Sequence, residues 1–159
     1  MSVAFTREED YEATAANLPD RPVSPHPNYV TPEGLAQIEA AFTAAKAAYG
    51  AAQAEGGVAA DRTAMARATR DLRYWSARRG SAQLVEAPAS ADHVAFGLTV
   101  TIEREGGRVQ TFRIVGEDEA DPKLGTISYV SPLARALLGK AVGDTVAAPG
   151  GAAEVTAIG

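Results

Sequence analysis

The chain has 159 residues and a formal net charge of −5, a length suited to one ordinary domain or two small ones, since domains commonly run to about 100–150 residues. Hydrophobic residues reach 46% but aromatics only 6%, so abundant small side chains favour closely packed helices over a broad core. Zero cysteines exclude disulfides, thiol catalysis and thiolate metal sites, and the two histidines, His26 and His93, would need carboxylates to complete a metal site.

Charge is unevenly spread. Residues 1–30 hold five acids and two bases, residues 31–87 six acids and seven bases, and residues 88–159 nine acids and six bases. The middle is therefore the only non-acidic part, which disfavours nucleic-acid binding by the whole chain but leaves room for a local basic stripe. No apolar stretch nears the roughly 18 residues of a membrane span. The start MSVAFTREEDYEA also lacks the apolar core of a signal peptide, which predicts a soluble, cytoplasmic protein.

The first segment, residues 1–30, opens with Thr6-Arg7-Glu8-Glu9, a capping-box pattern that predicts a short helix to about Asn17. Pro19, Pro22, Pro25 and Pro27 then forbid helix and predict an extended tether. This arm is expected to fold back on the rest of the chain, with Phe5, Tyr11 and Leu18 as anchors.

The second segment, residues 31–87, starts at Thr31-Pro32-Glu33-Gly34-Leu35, where Thr31 can cap a helix whose first position is Pro32. Apolar residues follow at Leu35, Ile38, Phe42, Ala45, Tyr49 and Ala52, the alternating three-four spacing of a coiled-coil seam. Glu55-Gly56-Gly57 breaks the pattern, and it resumes at Met65, Ala68, Leu72 and Trp75. Two stripes joined by a Gly-Gly turn predict an antiparallel helical hairpin with its tip near 55–61. Arg67, Arg70, Arg73 and Arg78 fall off the seam and are expected to face solvent. They form either a solvated charged face or a weak contact for phosphate backbone.

In the third segment, residues 88–159, the period changes to two. Leu98, Val100 and Ile102 alternate with Thr99, Thr101 and Glu103, as in a strand with one buried face. Glu105-Gly106-Gly107-Arg108 signals a hairpin, and Phe112 and Ile114 continue the alternation on the returning strand. Ile127 and Tyr129, Val146, and Val155 mark further strands. Ser131-Pro132-Leu133-Ala134-Arg135-Ala136-Leu137-Leu138-Gly139 reads as a short helix with Ser131 as cap and Gly139 as stop. The expectation is an α+β chain: a helical hairpin followed by an antiparallel sheet with one short helix.

The ordered run Phe112–Asp121, Gly125-Thr126-Ile127-Ser128, Ser131–Lys140 and Gly143-Asp144 resembles the C-terminal domain of the GreA/GreB transcript-cleavage factors, over roughly residues 94–158. Thr31-Pro32-Glu33-Gly34-Leu35 is similar to the start of that family's N-terminal coiled coil. The resemblance implies an FKBP-like C-terminal domain that docks on bacterial RNA polymerase at its secondary channel, with the coiled coil entering the channel. It places Ser131 and Pro132, with Val130 and Arg135 beside them, in the polymerase contact. Val130 departs from the aspartate found there in some members. The acidic run Glu117-Asp118-Glu119-Ala120-Asp121 matches a loop that the family uses structurally, so no metal is expected there.

The tip departs further. Cleavage-stimulating members carry an Asp-Leu-Ser-Glu-Asn-Ala-type motif whose carboxylates help hold a second Mg²⁺ in the polymerase active site. Here Glu55-Gly56-Gly57-Val58-Ala59-Ala60-Asp61 contains no Asp-x-x-Glu pair, and Glu55 and Asp61 are separated by two glycines. Each arm also reads about one heptad shorter than the family pattern, a loss of roughly 10 Å of reach. Mg²⁺–oxygen bonds of about 2 Å cannot absorb that shortfall. The related Rnk type likewise joins this domain to a shorter coiled coil. The expected function is a monomeric polymerase-binding regulator with no catalysis or cofactor of its own, meeting nucleic acid only within the polymerase complex. Two alternatives remain: a true cleavage factor, using the polymerase's own Mg²⁺ with Glu55 and Asp61, or a peptide-binding prolyl isomerase. The latter has only Phe96, Phe112 and Tyr129 to line a pocket.

Overall fold

The computed structural model describes residues 18–56 and 62–159. The predicted helix Thr6–Asn17, the anchors Phe5 and Tyr11, and residues 57–61 of the predicted tip lie outside them. The chain divides into two compact units, one holding residues up to Pro25 with Ile38–Ser81, the other His26–Gln37 with Ala82–Gly159.

The helical unit contains most of α1 (Pro32–Ala54) and all of α2 (Arg62–Ser81). Along α1, Ile38 and Ala45 are buried and Phe42, Tyr49 and Ala52 half-buried, so the seam read from the spacing is the inward stripe. Met65, Ala68, Leu72 and Trp75 play the same part on α2. The Arg79 guanidinium lies 4.8 Å from the centre of the Phe42 ring. The contact joins the middle of α1 to the last turn of α2, as antiparallel arms allow. Arg78, expected on the solvent face, is instead 1% exposed and engaged within the fold. It sits one turn beyond Trp75, so it extends the inward stripe, and its long aliphatic stem makes an arginine tolerable there.

The sheet unit begins with β1 (Tyr29–Val30), paired in parallel with β2 (Gln83–Leu84). Five strands follow: β3 (Thr99–Arg104), β4 (Val109–Val115), β5 (Thr126–Ser128), β6 (Thr145–Ala148) and β7 (Gly151–Ile158), in the order β5-β4-β3-β7-β6. Gly106 and Gly107 both adopt positive φ at the β3–β4 hairpin, which an L side chain would resist. The period-two reading holds: Leu98, Val100 and Ile102 are buried together with Ile114, Ile127, Val146 and Val155. The sheet is not wholly antiparallel, however. Edge strand β5 runs parallel to β4, because residues 116–125, including a 3-10 turn at Pro122–Leu124, carry the chain back before it pairs. The helix α3 (Pro132–Leu137) closes the core with Ala134 and Leu137, both fully buried.

Candidate functional site

The Ser131 corner is built from its own backbone outward. Ser131 Oγ accepts a hydrogen bond from the Ala134 amide at 3.3 Å, and Pro132 occupies the first helical position, where no amide is needed. Ahead of it, the Ser131 amide donates to the Ser128 carbonyl at 2.9 Å, and the Val130 amide to Ser128 Oγ at 3.2 Å. The turn is thus fixed at both ends. Because Ala134 and Leu137 point into the core, Pro132 and Arg135 are left exposed on the outer side, with Val130 and Ser131 half-buried next to them. The four residues read as a docking edge do come together, on a rigid corner that presents one cation and no acid.

Within the acidic run, Glu119 is a clamp. The Glu119 carboxylate accepts hydrogen bonds from the Thr31 amide at 3.0 Å, the Thr31 hydroxyl, and the Gly116 amide at 3.3 Å. Thr31 Oγ1 in turn accepts from the Gly34 amide at 3.0 Å, the cap expected from sequence. A Cβ on Gly34 would land on the Glu119 carboxylate, and one on Gly116 on the Tyr29 carbonyl. Both glycines are therefore needed for the close approach. Asp121 caps the 3-10 turn through the Lys123 amide at 3.1 Å. Among the described residues no three His, Asp or Glu side chains converge as a metal site.

The Arg113 guanidinium meets Glu33 at 3.5 Å. The Glu33 carboxylate is held below the ordinary glutamate range, first by a hydrogen bond from its own backbone amide and then by the Arg113 charge. Three aromatic rings cluster beside the sheet. Tyr29, Phe96 and Tyr129 pack on one another with ring centres 5.3–6.3 Å apart.

The arginine stripe divides. Arg67 is exposed on α2, Arg70 and Arg73 line one groove, and Arg78 is buried away from it. Sequence reasoning missed the partners supplied by the tether: Asp20 pairs with Arg73 at 3.2 Å and Arg21 with Asp71 at 3.6 Å. Arg21 also lies over the Tyr74 ring, 3.9 Å from its centre. Leu18, one of the three anchors expected for the arm, does border α2. At the tip, Glu55 is exposed just past the end of α1, and Asp61 lies outside the described residues.

Residues 89–158 match the family model described as transcription elongation factor, GreA/GreB, C-term. The matched part of the chain is similar to a GreA/GreB C-terminal domain. It contains the sheet β3–β7, the acidic clamp loop and the Ser131 corner. Transcription elongation factor GreA of Anaeromyxobacter sp. (strain K) is 48% identical over 87 residues, covering 52% of this chain and 51% of the relative. GreA of Hyphomonas neptunium is 60% identical over 62 residues, covering 37% and 40%. The chain spans about half the length of the curated relatives it matches. Among solved structures, Gfh1 of Thermus thermophilus is similar with a TM-score of 0.40 and 20% identity, over 84% of this chain and 99% of that one. A GreA/GreB factor from Nitrosomonas europaea reaches a TM-score of 0.37 at 19% identity, over 82% and 97%.

Proposed function

We propose that this protein is a bacterial RNA polymerase-binding transcription factor of the Gre type. It docks at the secondary channel through its C-terminal domain and regulates elongation or initiation without strong stimulation of transcript cleavage. The observation that carries this reading is the match of residues 89–158 to the GreA/GreB C-terminal model, which includes the capped Ser131 turn and follows a chain segment that forms two long helices. The exposed Pro132 and Arg135, held by the capped turn, supply the docking edge. The protein acts as a cytoplasmic monomer, carries no cofactor, and meets nucleic acid only inside the polymerase complex.

Weak cleavage follows from the tip sequence. A second Mg²⁺ needs two carboxylates held about 2 Å from the ion. Glu55 is exposed past the last turn of α1, with Gly56 and Gly57 separating it from the acid at position 61. Two glycines between the acids make the sequence a poor one for holding such a pair preorganised. A second reading, true cleavage stimulation, draws on the exposure of Glu55 and on the GreA names of the curated relatives.

Stalled elongation complexes distinguish the two. Added protein should bind polymerase, and Arg135→Glu should weaken that binding while leaving the fold intact. Transcripts should not shorten above the polymerase's own rate. Shortening that disappears in Glu55→Ala or Asp61→Ala would establish the cleavage reading instead, and a protein that fails to bind polymerase would end both.

A further inference from the structure

Leu18 and Asp20 of the tether border a groove of about 340 Å³ along α2, where Arg62, Arg70 and Arg73 meet the apolar surface of Met65. That volume lies at the low end of the range of about 300–1,000 Å³ typical of small-molecule sites. Two of the three guanidiniums already have acidic neighbours. Arg73 meets Asp20 at 3.2 Å, but both side chains remain largely exposed, at 67% and 61%. Arg70 Nε lies 3.8 Å from Asp71, whose carboxylate also holds Arg21 at 3.6 Å. A contact of 3.8 Å is an ion pair and not a hydrogen bond. Arg70 Nε is in fact buried with no hydrogen-bond partner among the described residues. With Arg21 counted, four guanidiniums therefore share two carboxylates, an excess of two positive charges.

Asp20 shows what this lining accepts, an oxyanion on Arg73, but one carboxylate leaves the excess in place. The spacing of the cations narrows the choice further. Arg70 and Arg73 lie within one turn, and Arg62 stands about 12 Å of helix rise before Arg70. Cations strung along an axis suit linked anionic groups better than a single ion, and the guanidinium fork matches phosphate oxygens in pairs. We propose that the groove binds a small polyphosphate, whose linked phosphate groups bridge the three arginines and displace Asp20 from Arg73. Leu18 and Asp20 border the groove opposite the charge of α2, which favours a compact ligand over a long nucleic-acid strand. The exchange carries its own signal. Arg21, bonded to Asp20 in sequence, lies 5.5 Å from the centre of the Trp75 ring, and Trp75 is the chain's single tryptophan. Moving Asp20 off Arg73 therefore disturbs the cation beside that indole.

The test uses the full chain without polymerase, so its result is independent of the docking proposed above. Calorimetric titration with sodium tripolyphosphate should show one saturable site that weakens as salt is added, together with a change in Trp75 emission. Arg70→Gln/Arg73→Gln should weaken binding about tenfold or more, with an unchanged urea midpoint. Asp20→Asn, which removes the competing carboxylate, should tighten binding about threefold or more. That gain cannot come from unfolding, so it decides the matter if the arginine variant proves unstable. A nucleoside triphosphate that binds more tightly than tripolyphosphate would identify the occupant as a nucleotide with its base on Met65. Equal affinity would identify the phosphate chain alone, and either result supports the site. The proposal is overturned by no saturation below about 1 mM, by arginine variants that bind as wild type, or by Asp20→Asn binding no tighter. Tighter binding of a single-stranded oligonucleotide at equal phosphate concentration would also overturn it, in favour of a nucleic-acid contact.

Discussion

Glu119 shows how much one side chain can settle. Its carboxylate gathers the start of α1 to the turn after β4, with Thr31 and Gly116 as donors. Gly34 must stay small for it to do so. Replacing glycine by alanine inside a helix ordinarily stabilises by about 1 kcal/mol. That sign should invert at Gly34, where Gly34→Ala displaces the carboxylate and costs about 1–3 kcal/mol in urea unfolding. Gly50→Ala, with open space around it, should instead stabilise by about 0.5–1 kcal/mol. Glu33 makes a pH prediction. A carboxylate whose pKa is lowered on folding stabilises the native state above its unfolded value, and the benefit fades as pH falls from 4.5 through the folded value. Thermal unfolding of Glu33→Gln should therefore fall below wild type at neutral pH, and the gap should close in acid. Of this cluster only the Thr31 cap was legible from sequence. A cap is local, whereas Glu119 meets Thr31 across 88 positions, and no spacing rule reaches that far.

At the scale of elements, the seam from Leu35 to Ala52 and the alternation from Leu98 to Ile102 were legible because each periodicity fixes which side faces inward. Ile38, 1% exposed, anchors the first of these. Ile38→Ala should cost about 2–5 kcal/mol, read as a lower midpoint in urea. The parallel β5, the parallel β1–β2 pair and the burial of Arg78 were not legible. Strand direction depends on where a connection returns the chain. The expectation that Arg78 is solvated rests on its place off the seam, whereas the inward stripe continues through it, three residues past Trp75. The tether was half legible: its prolines announced an extended segment, but not that Asp20 and Arg21 would find Arg73 and Asp71. Arg21→Ala removes the cation over Tyr74 along with the Asp71 pair. It should lower thermal stability by about 0.5–2 kcal/mol and loosen amide protection around Tyr74 and Trp75.

For the whole molecule, sequence was most informative where it is densest in turn and cap residues. The Ser131 corner was readable down to its cap, its proline and the stop at Gly139, which has positive φ. The tip was readable as a departure from a known pattern. Ser131→Ala should cost about 1 kcal/mol through the lost cap, measured by urea unfolding, and under the proposed docking it should reduce polymerase affinity by more than that loss alone explains.

The β1–β2 pair has one more implication. The strand leading into α1 and the strand leaving α2 are bonded side by side, with the Gln83 amide on the Asn28 carbonyl and the Val85 amide on the Val30 carbonyl. The helical segment from Ile38 to Ser81 is therefore inserted between two stumps that are sutured together. Evolution, or an engineer, can add or remove matched turns beyond that suture without redrawing it, so the length of the finger is free to vary as an independent trait.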